Sequence, residues 1–223
     1  MSDKAFFDTN LPIALVFQIN SLHIKSKKAF QEYSKVYWSN FVKKEFNHRY
    51  KEKFNNVSRF FQDYQLQLDN SAHELYSSND LFNFVRRNYS GSLMDDAKGS
   101  IDPFWNEYIG IESHVPFMTM KQCINQCLND VLIDSSIQKD KILSTMQLTP
   151  QRTKSYSNID VVLKNQGVKD ADRNVILDEH DFACFSGDSI DFVTFDEDFY
   201  RGARNVEILC FNSIKGKYDF NAS

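Results

Sequence analysis

Glycine and proline are scarce in this chain, with seven and four among 223 residues. So few turn-formers exclude an all-β protein of tight hairpins and favour a chain rich in helices. The four cysteines, Cys123, Cys127, Cys184 and Cys210, are too few and too scattered for a disulfide framework. They fit a reducing, cytoplasmic setting. Cys123 and Cys127 stand one helical turn apart, but no similarly spaced His or Cys pair lies nearby, so they read as buried small residues rather than a soft-metal site. No apolar run approaches the roughly 18 residues of a membrane span. Met1-Ser2-Asp3-Lys4 leads into no long apolar core, so no signal peptide is expected. A glycine-rich phosphate loop is missing too, since Gly187-Asp188 and Gly202-Ala203 are isolated. The five histidines are scattered and give no Ser–His–Asp spacing. Nor is there a basic excess: the net charge of −4 does not advertise a nucleic-acid binder, though a basic rim can coexist with an acidic total.

What the chain has is apolar and aromatic mass. It is 42% hydrophobic, with 20 Phe and 10 Tyr, enough for a sizeable core. The length suits one large domain or one domain carrying a substantial insertion. The first strong pattern is Lys4-Ala5-Phe6-Phe7-Asp8-Thr9-Asn10, an apolar run that stops at a carboxylate. It reads as a buried strand with Asp8 at its C-terminal tip. The pattern returns in Asp191-Phe192-Val193-Thr194-Phe195-Asp196-Glu197-Asp198-Phe199, again a β-prone run ending in acids. In open α/β sheets the C-terminal ends of strands collect ligands and chemistry. A parallel sheet would bring these two tips together into an acidic pocket.

Between them, Asn10 and Pro12 suit a helix start, followed by an apolar helix over 13–17. Residues 32–38 are β-prone and end at Ser39-Asn40, which suits N-capping. The helix that follows is expected from about Phe41 to Tyr64, with a break at Asn55-Asn56. Val42, Phe46, Val57, Phe60 and Tyr64 share a narrow arc, and Glu45 lies about 60° from its middle, on the flank of the inward face. Residues 65–150 read as a helical insertion within a single domain of 1–223, interrupted near Gly91, Gly99–Pro103 and Pro116. Phe82, Phe84, Phe104, Trp105 and Tyr108 read as its core. A short helix over 158–165 ends at Gly167. The next helix opens with acids near Asp170. Asp172, Ile176, Glu179 and Ala183 form one stripe, whereas Asp178 and Asp181 point largely the other way. A strand over 192–195, a last strand over 205–211 and a polar tail from Ser213 complete the chain.

The candidate site is therefore Asp8, Glu45, Asp172 and Asp196, with Asp198 nearby; Asp178 and Asp181 are rivals for the third place. Carboxylates gathered in one pocket raise one another's pKa unless cations compensate. Oxygen-only ligands suit Mg²⁺ or Mn²⁺. Two such ions roughly 3.5–4 Å apart can activate water and steady the leaving oxygen of a phosphodiester. Arg201, Arg204, Lys215, Lys217, Arg152 and Lys154 are candidates for phosphate contacts.

Phe6-Phe7-Asp8-Thr9-Asn10, Glu45, Asp172 and Val193-Thr194-Phe195-Asp196-Glu197-Asp198-Phe199 together resemble the acidic signature of PIN-domain nucleases. The resemblance covers about residues 1–60 and 155–211. It implies a central parallel sheet flanked by helices, with a large helical insertion in this chain. It further implies metal-dependent endoribonuclease activity with Mg²⁺ or Mn²⁺ and an RNA substrate, DNA not being excluded. Asp8, Glu45, Asp172, Asp196 and Asp198 would be the metal ligands, and Thr194, Arg201 and Arg204 would contact substrate. Many such domains are toxins of toxin–antitoxin pairs, so a protein inhibitor and a homodimer are also implied. Two departures from the family are the long insertion and the long interval from Asp172 to Asp196. Two rival readings remain. A non-catalytic PIN-like module would bind RNA or protein. A haloacid-dehalogenase-like phosphatase also begins with a strand ending in Asp, but it wants a second Asp where this chain has Asn10.

Overall fold

The computed structural model describes residues 3–70, 74–187, 189–205 and 213–220. Its strands are β1 (Lys4–Phe7), β2 (Lys35–Trp38), β3 (Leu75–Tyr76), β4 (Val115–Pro116), β5 (Gln147–Leu148), β6 (Asp191–Val193) and β7 (Ser213–Lys215). Five of them form one sheet in the order β5-β2-β1-β6-β7, and every neighbouring pair runs parallel. Helices flank this sheet, so the fold class is α/β, as the sequence predicts. No described helix is long and apolar enough to cross a membrane.

Burial explains why β1 is central. Ala5, Phe6 and Phe7 are wholly buried, as a parallel strand covered on both faces requires. Phe6 stands between Tyr37 of β2 and Phe192 of β6. The Phe7 ring meets Phe30 edge-on at 4.7 Å. Beyond the strand the ladder continues, since the Asp8 amide donates to the Val193 carbonyl at 3.1 Å. From β1 the chain steps through α1 (Asn10–Val16) and α2 (His23–Glu32) to β2 on one side. It later returns through α7 (Ser157–Asn165) and α8 (Asp170–Ser186) to β6 on the other side. Strand order thus reverses between β1 and β6, and a crevice opens at the strand ends where it does.

The chain divides into two compact units. The first comprises 1–15, 24–47 and 141–223 and contains the parallel sheet. The second comprises 16–23 and 48–140. It is built from most of α3 (Asn40–Asp69), α4 (Ser78–Asn88), α5 (Gly91–Phe104), a π-helical turn at Trp105–Ile109, and most of α6 (Phe117–Thr145). The antiparallel pair of β3 and β4 completes it. Its core is aromatic: Phe60, Phe61 and Phe104 are wholly buried, and Phe61 packs on Phe104 at 5.0 Å.

Three local expectations change. Helix α3 runs unbroken through Asn55 and Asn56, because the Asn56 amide donates to Asp96 at 2.8 Å instead of competing for backbone groups. The boundary between the units therefore falls inside a continuous helix, at 47/48, where the sequence placed the start of an insertion at 65. The strand expected over 205–211 lies, beyond Asn205, outside the described residues. Ser213 does not open a polar tail; it begins β7, which pairs with β6. Gly167 ends α7 with φ of 80°, as expected of a left-handed cap. Cys123 and Cys127 are free thiols.

Lys215 ties the edge of the sheet to its interior. Its ammonium contacts Glu32 at 2.5 Å and the buried Asp191 at 3.4 Å, and the Tyr33 hydroxyl donates to Asp191 at 3.0 Å. Replacing Lys215 with Met leaves a buried carboxylate without this counter-ion, a loss of about 3 kcal/mol. Urea unfolding of Lys215→Met should show a lower midpoint, partly restored when Asp191→Asn is added.

Candidate acidic site at the strand tips

Asp8 leaves the end of β1 and is 5% exposed. Its Oδ1 accepts the Thr9 amide at 2.6 Å. Its Oδ2 accepts the Thr194 hydroxyl at 2.9 Å and the Asn10 side chain at 3.4 Å. The same Thr194 oxygen accepts the Asp196 amide at 3.1 Å. One hydroxyl therefore fixes the tips of β1 and β6 against each other. On the other flank, the Thr9 hydroxyl donates to Glu45 Oε2 at 2.8 Å. Glu45 reaches that place because Ser39 caps α3, its oxygen accepting the Val42 amide at 3.2 Å.

Asp196 caps α9 (Glu197–Asn205), with Oδ1 accepting the Phe199 amide at 2.9 Å. That leaves its other oxygen for the crevice. Asp172, in the first turn of α8, shares with Asp196 and Asp198 a cleft of about 330 Å³. Lys169 and Arg201 line the same cleft. Asp172 feels the charges of Asp196 and Glu45, and Asp8 feels those of Glu45 and Asp172. Asp8 and Glu45, joined through Thr9, do not line that cleft.

The rival acids are engaged elsewhere. Asp178 pairs with Arg152 at 3.6 Å. Asp181 accepts the Thr153 amide at 3.0 Å and the Tyr156 hydroxyl at 2.8 Å. It anchors the segment in which Tyr156 holds a left-handed φ of 48°. Burial acts to raise the Asp181 carboxyl, but these hydrogen bonds outweigh it and hold the group below its ordinary value. Two expected substrate contacts also change. Thr194 is wholly buried, so it positions carboxylates and does not reach a substrate. Arg204 donates to its neighbour Tyr200 at 2.9 Å and does not line the cleft. Lys215 is held in the sheet, and Lys217 faces Glu197 at 3.3 Å.

Two further charged residues escaped the sequence reading. Lys169 precedes α8 and gave no pattern. Glu179 lies on the very stripe that singled out Asp172, so helical phase alone could have found it. It is 1% exposed, and burial together with the Asp8 charge raises its carboxyl well above the usual range.

Among the described residues no three His, Cys, Asp or Glu side chains form a ready cage for a metal ion. The donor chemistry nevertheless fits a hard divalent cation. All candidate ligands are oxygens, and Glu179 carries two buried oxygens with no hydrogen-bond partner among the described residues. Asp8, Glu45, Asp172 and Asp196 are the side chains that would hold such an ion.

Asp8 is pushed up to about 7, chiefly by burial; hydrogen bonds from Thr194 and Thr9 oppose the rise, while Glu45 and Asp172 add to it. Between 3.8 and about 7, folded Asp8 keeps a proton that the unfolded chain has released. Stability therefore falls as pH rises through that window. Asp172 and Asp178, also raised, act with the same sign. Urea titrations in chelator should show up to about 4 kcal/mol lost through this group between about pH 4 and pH 8. Asp8→Asn should flatten that slope. No family model, curated protein or solved structure matches the chain, so the chemistry of these side chains is what speaks for its function.

Proposed function

We propose that this chain is a metal-dependent endoribonuclease of the PIN type, hydrolysing RNA phosphodiesters at the carboxylate group around Asp8. The observation that carries this reading is the Thr194 hydroxyl, which donates to Asp8 and accepts from the Asp196 amide where strand order reverses. It holds two acids from distant parts of the chain at adjacent strand tips. Such a clamp suits a site whose ligands must keep their places although their charges repel.

Each side chain has a role in that reading. Asp8 and Asp196 are the fixed inner ligands. Glu45, oriented by Thr9, and Asp172 close the group from the two flanking helices. Lys169 and Arg201, in the cleft with Asp172, Asp196 and Asp198, bind backbone phosphates and draw the polyanion past an otherwise acidic surface. A bound Mg²⁺ or Mn²⁺ supplies Lewis acidity and a water of lowered pKa. Burial of Asp8 and Thr194 keeps bulk water from loosening the clamp.

The test is cleavage of labelled single-stranded RNA, structured RNA and single-stranded DNA with Mn²⁺ or Mg²⁺. Asp8→Asn and Asp196→Asn should each lower cleavage by about 100-fold or more. Thr194→Val keeps the branched shape but removes the hydroxyl, and should cost about 10–100-fold. Cleavage that survives EDTA, or that is unchanged in Asp8→Asn, would exclude the mechanism. Turnover of p-nitrophenyl phosphate in place of RNA would favour the phosphatase reading.

A further inference from the structure

Glu179 lies on the buried stripe of α8, seven residues beyond Asp172. On that helix Val175, Ile176, Leu177 and Ala183 are buried and apolar, and His180 and Asp181 are buried and polar. Its own exposure is 1%, and neither oxygen finds a hydrogen bond among the described residues. Of the charges acting on it, that of Asp8 is the largest, ahead of Asp178.

A carboxyl so enclosed is unfavourable in either protonation state. Ionised, it is a buried charge beside a second acid. Neutral, it still lacks a partner for its hydroxyl and its carbonyl oxygen. An aliphatic residue in the same place would carry neither penalty. A hard cation removes both, because it neutralises the charge and takes the lone pairs that hydrogen bonds leave unused. Asp8 is the acid whose charge acts on it most, and its oxygens keep lone-pair capacity beyond the Thr9, Asn10 and Thr194 bonds.

We propose that Glu179 is a further carboxylate ligand of the divalent cation that Asp8 holds, reaching it from the buried side of α8. The inference rests on the metal-dependent reading above and adds a fifth acid to its site. Asp8 and Glu179 then grip the ion from the interior, while Asp172 and Asp196 face the open cleft where substrate enters. Glu179 accordingly trades stability of the metal-free fold for affinity toward the ion.

Calorimetric titration of the full chain with MnCl₂, paired with thermal melting with and without Mn²⁺, tests this. Glu179→Gln keeps the shape of the side chain, and Glu179→Met replaces it with an apolar one. Both variants should weaken Mn²⁺ binding by about tenfold or more. Both should also shrink the Mn²⁺-induced rise in melting temperature, and Glu179→Met should melt higher than the parent protein in chelator. Asp178→Asn, one residue away, should bind Mn²⁺ as the parent does. If the parent and Glu179→Gln bind Mn²⁺ equally while Asp8→Asn does not, this inference is overturned and the metal-dependent reading stands. If the parent itself binds no Mn²⁺, both fall together.

Discussion

The structure depends on one hydroxyl placed between two strand tips. Parallel strands have no hairpin to set their relative positions at the ends, so the acids that terminate β1 and β6 need a tie. Thr194 supplies it from inside the ladder. Because its side chain is wholly buried, the bond is shielded from water and acts on a carboxylate that is itself nearly buried. The hydrogen bonds around Asp8 are charge-assisted when the acid is ionised, and their number offsets part of the desolvation that drives its pKa upward.

From that tie the site spreads outward through short, directed contacts. Thr9 passes the position of Asp8 to Glu45, and the Asp196 side chain sets the start of α9. The capping role of Asp196 aligns the first turn of α9, in which Asp198 stands and from which Arg201 follows. Strand end, helix cap and cleft lining are thus one local structure. It places negative charge at the centre and Lys169 and Arg201 at the margin.

Much of this was legible in the sequence, and the reason differs by residue. Asp8 and Asp196 announce themselves because an apolar run cannot continue through a carboxylate, so the strand end and the acid coincide. Glu45 and Asp172 follow from helical phase, which is reliable when a stripe is long. Glu179 obeyed the same phase, but a glutamate on a buried stripe looks like a helix-boundary residue until packing shows no hydrogen-bond partner for it among the described residues. The role of Thr194 was hidden because a β-branched residue before a strand end has reason enough to be there by propensity. Strand β7 offers a single apolar residue, Ile214, between Ser213 and Lys215, too little alternation to read. The continuity of α3 depends on Asp96, 40 positions from Asn56, and no local pattern reports such a partner.

The outer strand β5 has a consequence for how copies of this molecule meet. It is two residues long, and after the Thr149 amide reaches the Trp38 carbonyl at 3.0 Å, Pro150 follows with no amide proton to offer. The ladder cannot be extended past that point. An incoming extended chain finds almost no backbone to template on, so this margin of the sheet is closed to strand-by-strand accretion. Self-association along this margin would have to use side chains, and its strength could be tuned by surface substitutions without disturbing the sheet that carries the acids.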